Sequence, residues 1–169
     1  MKPTGASGQP PVPDEGGSAE SVGSFRFCLL RFETESLAID LTQVREVFTI
    51  DAITPVPGMP PALVGVANTR GSIVPLVDVR PWLGLPSTTA PHYAVVVRHG
   101  ARYVGILVEA VPEIRTAEFG DLVEMPFGEG ARTCAFLSGA LNMSGQTIGM
   151  MDVPRLLAMI EGTIDRQAA

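Results

Sequence analysis

The sequence has no clustered surplus of lysine and arginine: 12 basic residues stand against 18 acidic ones in 169 positions, a net charge of -6. Phosphate backbones are gripped by local positive charge, so this balance disfavours a nucleic-acid partner. Cysteine is equally scarce. Cys28 and Cys134 lie far apart in apolar segments, with no CxxC pair and no nearby histidine to complete a zinc set. They read as two buried thiols of a reducing cytosol. His92 and His99 are the only histidines, flanking a predicted strand with no cysteine or clustered acid beside them, so no metal is expected. GxSxG, HExxH, P-loop and glycine-rich dinucleotide patterns are missing, and no histidine sits in a long helix to carry a phosphoryl group. No cofactor and no catalytic residue are therefore expected. No apolar run approaches the roughly 18 to 20 residues of a membrane helix, and the N-terminus lacks a basic-then-apolar signal. Cytoplasmic residence without membrane insertion is the expectation.

What is present points to short strands. Hydrophobic residues make up 46% and charged residues 18%, while 18 Gly and 15 Pro interrupt the chain too often for long helices. Residues 1–23 form a Gly/Pro/Ser-rich tail whose only branched apolar residues are Val12 and Val22, too few to offset the entropy of ordering by burial. A strand-like run from near Ser24 through Phe32, a Glu33-Thr34-Glu35 turn and a strand at Leu37 to Leu41 read as a hairpin. Thr42 is placed to cap a short helical turn carrying Val44 and Val47, before Ile50 to Val56 runs extended toward Pro57, Gly58, Pro60 and Pro61. Strands follow at Val64 to Asn68 and Ile73 to Val77, joined by a Thr-Arg-Gly-Ser turn. Asp78 then heads a short helix through Leu83, stopped by Gly84.

The second half repeats the first. Gly65, Asn68, Gly71, Asp78, Val79 and Leu83 recur as Gly139, Asn142, Gly145, Asp152, Val153 and Leu157, every pair 74 positions apart without a gap. Upstream, Arg31, Ile39, Val44 and Glu46 meet Arg98, Ile106, Val111 and Glu113 at a constant 67. Each half encodes about five strands, and five strands limit their exposed edges by curling into a small barrel. The expected fold is mainly β: two five-stranded β-barrel subdomains related by the repeat, with short helices, interleaved over residues 24–162 and followed by a C-terminal tail at 163–169. Junctions of this kind favour ligand binding, so a groove between the barrels is expected.

The segments SLAIDLTQVREV, ITPVPGMPPALVGVANTRGSIVPLVDVRPWLGL and YVGILVEAVPEI resemble the CheW-like domain over about residues 24–162. The most specific stretch runs from Pro57 to Gly71, then Asp78, with Thr69 where the family commonly has leucine. The resemblance implies a non-catalytic scaffold of a bacterial chemosensory pathway. It would bridge methyl-accepting chemoreceptors and the regulatory domain of a CheA-type histidine kinase, with the receptor's helical hairpin tip lying in the groove between subdomains. The family's Asn-x-Arg-Gly turn is matched by Asn68, Arg70 and Gly71, and neighbouring partner-contact positions by Val44 and Glu46. A related adaptor of another pathway, such as surface motility or development, fits the same sequence.

Each candidate also has a plainer account. Arg70 is replaced in the repeat by Ser144; an exposed solvated arginine explains the position, while its planar five-donor fork suits a carboxylate or the last carbonyls of a helix. Gly71 and Gly145 fit a positive-φ turn, and Asn68 and Asn142 fit amides satisfying that turn. Asp78 and Asp152 read as helix caps. Val44 with Glu46 is either a buried valine beside a solvated glutamate or an apolar spot rimmed by charge, and Val56, Met59, Leu63 and Val66 are core or groove lining. Met143, Met150, Met151 and Met159 read as core filler. A rival reading, a small β-barrel enzyme using Glu113, Glu124 or His99 as acid or base, would require a cleft holding two such groups together.

Overall fold

A computed structural model describes residues 23–60, 62–124 and 135–168. Residues 1–22, Cys134 and Pro61 lie outside that set, and with them the readings of the N-terminal tail and of the second thiol. The described chain forms β1 (Ser24–Arg31), β2 (Ser36–Asp40), β3 (Val44–Thr49), β4 (Leu63–Thr69), β5 (Ser72–Val77), α1 (Arg80–Leu83), β6 (Tyr93–His99), β7 (Arg102–Val108), β8 (Glu113–Glu118), β9 (Leu122–Val123), β10 (Leu137–Met143), β11 (Gln146–Met151) and α2 (Val153–Ala168). Among the described residues, no helix is long and apolar enough to cross a membrane.

The strands make two sheets, and neither belongs to one half of the chain. One has the order β8-β1-β2-β11-β10-β9, the other β3-β6-β7-β5-β4. Each sheet takes the first hairpin of one repeat and the remaining strands of the other. The exchange keeps register: Cys28 faces Ile114 in the first sheet as Val95 faces Val47 in the second, each counterpart 67 positions away. The parallel contacts correspond too, Met150 with Ala38 and Leu76 with Gly105. The first sheet counts six strands because β9 pairs over two residues; its counterpart is the single bridge Thr54↔Val66.

Alternation along the exchanged hairpins explains the core. Phe27, Leu29 and Ala38 turn into the first barrel with Leu141 and Ile148, while Ala94, Val96 and Leu107 turn into the second with Val74 and Leu76. Their neighbours Cys28, Leu30, Leu37, Ile39, Val95, Val97, Val104 and Ile106 point the other way and meet each other, Phe136, and Leu156, Leu157 and Ile160 of α2. The central strands are thus buried on both faces, which is why they read as continuous apolar runs. The junction expected to form an open groove is filled by the largest apolar cluster in the described chain. Met151 and Met159 pack in that cluster, and Met143 and Met150 against the first barrel's core.

Two local expectations are corrected. The turn after β2 is a single 3-10 turn at Leu41–Gln43 capped by Asp40, whose Oδ1 accepts from the Thr42 amide at 2.9 Å and its hydroxyl at 2.7 Å. Val44 and Val47 stand on a strand instead: β-branched residues alternating with Arg45 and Glu46 favour the extended form once β6 offers an edge. The helix after β11 is 16 residues long and continues over 163–168, where a tail was expected, whereas α1 stops after one turn at Gly84 with φ 70°. Pro86 and Pro91 forbid its continuation, whereas the one proline of α2, Pro154, stands in its first turn where a helix tolerates it, and none occurs over 155–168.

Among the described residues, one charged side chain is buried. Arg80 is 5% exposed, and its Nη2 meets Asp78 at 2.9 Å while Nη1 meets Glu109 at 2.7 Å and the Thr89 carbonyl at 2.6 Å. Its hydrogen bond to Asp78 raises the guanidinium pKa above its already high value against the opposing cost of burial. The repeat places Pro154 at this position, so the second copy lacks the arginine of this device.

Candidate functional site

Strand direction gathers most of the candidates at one end of the five-stranded sheet. β5 and β7 run parallel, each starting at a tight turn, so the β4–β5 turn and the β6–β7 turn share an end. β3 is antiparallel to β6, which brings its first residues, Val44 to Glu46, to the same end.

In the β4–β5 turn both central residues hold positive φ, Arg70 at 51° and Gly71 at 82°, the signature of a two-residue type I′ hairpin. Asn68 Oδ1 accepts from the Gly71 amide at 3.2 Å, so this side chain closes the turn. Arg70 is exposed and, among the described residues, makes no ion pair. Left-handed backbone costs a non-glycine residue about 1–3 kcal/mol. Ser144 carries the same conformation at 51° beside Gly145 at 77°, so the strain belongs to the turn type and the guanidinium is what distinguishes this copy.

A bulge separates Val44 from Glu46. Val44 faces Val97 and packs on the inter-barrel core, whereas Glu46 faces Val96 on the side of Phe48 and the second barrel's interior. The two do not form one patch. Val47, on Val44's side, is 43% exposed.

At the margin of the filled junction an open groove of about 370 Å³ remains. Leu63, Ile73, Pro75 and Tyr103 line it from the sheet, Leu157 and Ile160 from α2, with Arg102 and Glu161 ion-paired between its two sides. Ile73 is 61% exposed and lies three residues past Arg70. The Tyr103 hydroxyl donates to the Ile73 carbonyl at 3.1 Å, and its side chain packs against the second barrel's core. Of the four residues read as lining or core, Leu63 reaches the groove; Val56 is exposed and Met59 and Val66 are half-buried elsewhere. Ile73, Tyr103 and the α2 residues were not read from sequence as groove lining. The 156, 157, 160 spacing of Leu156, Leu157 and Ile160 was the signal for the helix, but nothing marks Tyr103.

The residues of the enzyme reading do not converge. Glu113 is an exposed partner of Arg31 at 3.3 Å and Arg115 at 3.0 Å in the six-stranded sheet, while His99 lies exposed at a turn of the other sheet and Glu124 is exposed past β9. Cys28 is buried, and burial pushes its thiol pKa above the ordinary value.

Comparison with known proteins gives a consistent result. The model of the CheW-like domain matches residues 26–161. A chemotaxis protein CheW from Rhizobium meliloti is 29% identical over 78% of this chain and 86% of its own length. Protein FrzA from Myxococcus xanthus is 26% identical over 86% of this chain and 93% of its own. The crystal structure of the scaffolding protein TtCheW from Thermoanaerobacter tengcongensis superposes with a TM-score of 0.69 at 22% identity, covering 77% of this chain and 90% of that one, a likeness of fold.

Proposed function

The chain belongs to the CheW-like domain family, and from that membership we infer a non-catalytic cytoplasmic adaptor coupling methyl-accepting chemoreceptors to a CheA-type histidine kinase. The observation that carries the reading is the open apolar groove beside the Arg70 turn. A groove walled by Ile73, Pro75, Tyr103, Leu157 and Ile160 has the chemistry to take the apolar face of a helix, and the charged groups in its lining, Arg102 and Glu161, are paired with each other. The receptor's helical hairpin lies there, with Arg70 at the edge reaching a carboxylate or terminal carbonyls and Asn68 and Gly71 fixing the turn that presents it. Val44 and Glu46, turned to opposite faces of β3, serve separate contacts.

Micromolar affinity, about -8 kcal/mol, suffices for each contact because an array multiplies them through effective concentration. Pull-down with a receptor signalling fragment and the kinase regulatory domain from the same organism tests the reading. Wild type should retain both, and Arg70→Ala should lose receptor while its melting temperature stays nearly unchanged. Receptor retention by Arg70→Ala would remove Arg70 from the site. The similarity to FrzA, a relative that carries no chemotaxis name, favours as second reading the same coupling role in another pathway. The receptor recovered in the pull-down distinguishes the two.

A further inference from the structure

The two barrels present equivalent ends of opposite charge. At the end of the six-stranded sheet stand Glu33, Glu35 and Glu113; the nearby cations Arg31 and Arg115 are both spent on Glu113, and Glu33 accepts from the Thr88 and Thr89 hydroxyls. At the matching end of the five-stranded sheet stand Arg45, Arg70, Arg98 and Arg102. Arg102 is paired with Glu161, and Glu46 is the other carboxylate near the start of β3. Arg45 lies over the Tyr103 ring, 5.6 Å from its centroid, and Arg98 sits directly opposite Tyr103 across β6 and β7. Neither arginine makes an ion pair among the described residues. Tyr103 also contributes to the groove's lining while its side chain packs against the second barrel's core, so Arg45 stands over a residue shared by the barrel's end and the groove's edge.

We propose that Arg45 and Arg98, together with Arg70, form a cationic rim that selects an acidic helix for the groove: an amphipathic partner whose apolar face meets Ile73 and Tyr103 and whose flanking carboxylates meet the arginines. The inference rests on the coupling reading and specifies the chemistry of its receptor side. Charge complementarity supports it in a chain that is otherwise acidic, where four arginines at one end run against the overall balance. The arginines are exposed, so they act mainly on encounter and are screened by salt over about 10 Å at 0.1 M.

Binding of the labelled receptor signalling fragment is measured by anisotropy at 50 and 500 mM NaCl, for wild type, Arg45→Gln/Arg98→Gln, and the exposed control Arg26→Gln. The double variant should bind about tenfold more weakly at low salt and within about twofold of wild type at high salt. The control should match wild type, and all three should bind the kinase regulatory domain equally and melt together. A double variant with wild-type affinity and salt dependence overturns the rim while leaving the coupling reading intact. Loss of kinase binding in place of receptor binding also overturns it. Wild type that binds neither partner defeats the coupling reading and the rim with it.

Discussion

The two hairpin turns at Arg70-Gly71 and Ser144-Gly145 share a backbone and differ in chemistry. Both have positive φ at both central residues, both follow a strand bulged at a glycine, Gly65 or Gly139, and both lead into a strand that pairs in parallel with the other repeat's hairpin. One turn carries an exposed guanidinium, without an ion pair among the described residues, beside an apolar groove; the other carries a hydroxyl. Geometry is therefore the common inheritance of the repeat, and function is read from what was placed on it. The same lesson holds one step downstream. Asp78 and Asp152 both accept a backbone amide near a helix start, yet Asp78 also grips a buried arginine, while Asp152 faces Arg155 at 3.8 Å on the surface.

The largest expected effect breaks that second pair. Arg80→Ala strands Asp78 and Glu109, each about 14% exposed, without their cation. Loss of one partner from a buried ion cluster costs about 3–5 kcal/mol. Urea denaturation should show this loss, whereas Pro154→Ala, at the equivalent position, should change stability by less than about 1 kcal/mol.

Next in size are the glycines at the bulges. A Cβ on Gly65 would lie 2.6 Å from the Thr54 carbonyl oxygen, and one on Gly139 would lie 2.9 Å from that of Val123. Both alanine variants should be destabilised by about 1–3 kcal/mol, with Gly65→Ala the worse because it also meets the Ile53 methyl at 2.8 Å. Thermal melts of the two variants check the order.

A smaller effect separates strain from function. Arg70→Gly and Ser144→Gly each relieve a left-handed residue and should raise stability by up to about 1 kcal/mol. Receptor binding should fall only in the first. Equal loss in both would show that turn rigidity, not the guanidinium, matters.

The smallest effect concerns Cys28. Its thiol titrates above its ordinary value of 9.0 because burial disfavours the thiolate. The folded state therefore keeps a proton that the unfolded state releases, and the stabilisation present below pH 9 is lost as pH rises beyond it. In a Cys134→Ser background, alkylation at pH 8 should be slow for the folded protein and fast in urea.

Much of this comparison was legible in the sequence. The unbroken spacing of 74 maps β4 onto β10 and β5 onto β11 end to end, because a two-residue turn leaves register no freedom. The glycine at the second turn position needed no structure either. The barrels were expected to interleave, but the sequence could not say which strands are exchanged: a strand buried on both faces reads as a long apolar run whichever sheet it joins. It also missed the strand at Val44–Thr49, since β-propensity is realised only where a neighbour supplies an edge. Arg80 looked like any basic residue after a helix cap, for its partner Glu109 is 29 positions away. The groove expected at the junction lies at its margin, because α2 fills the centre with Leu156, Leu157 and Ile160. Val44 and Glu46 look adjacent in sequence, but one extra bulge residue turned them apart.

The central claim, that one molecule joins receptor to kinase, is tested most directly by sedimentation of wild-type protein mixed with both the kinase regulatory domain and the receptor signalling fragment from the same organism. The coupling account requires a ternary species at tens of micromolar that neither pair alone produces. If the folded protein sediments alone beside both partners, the fold stands and the coupling function does not.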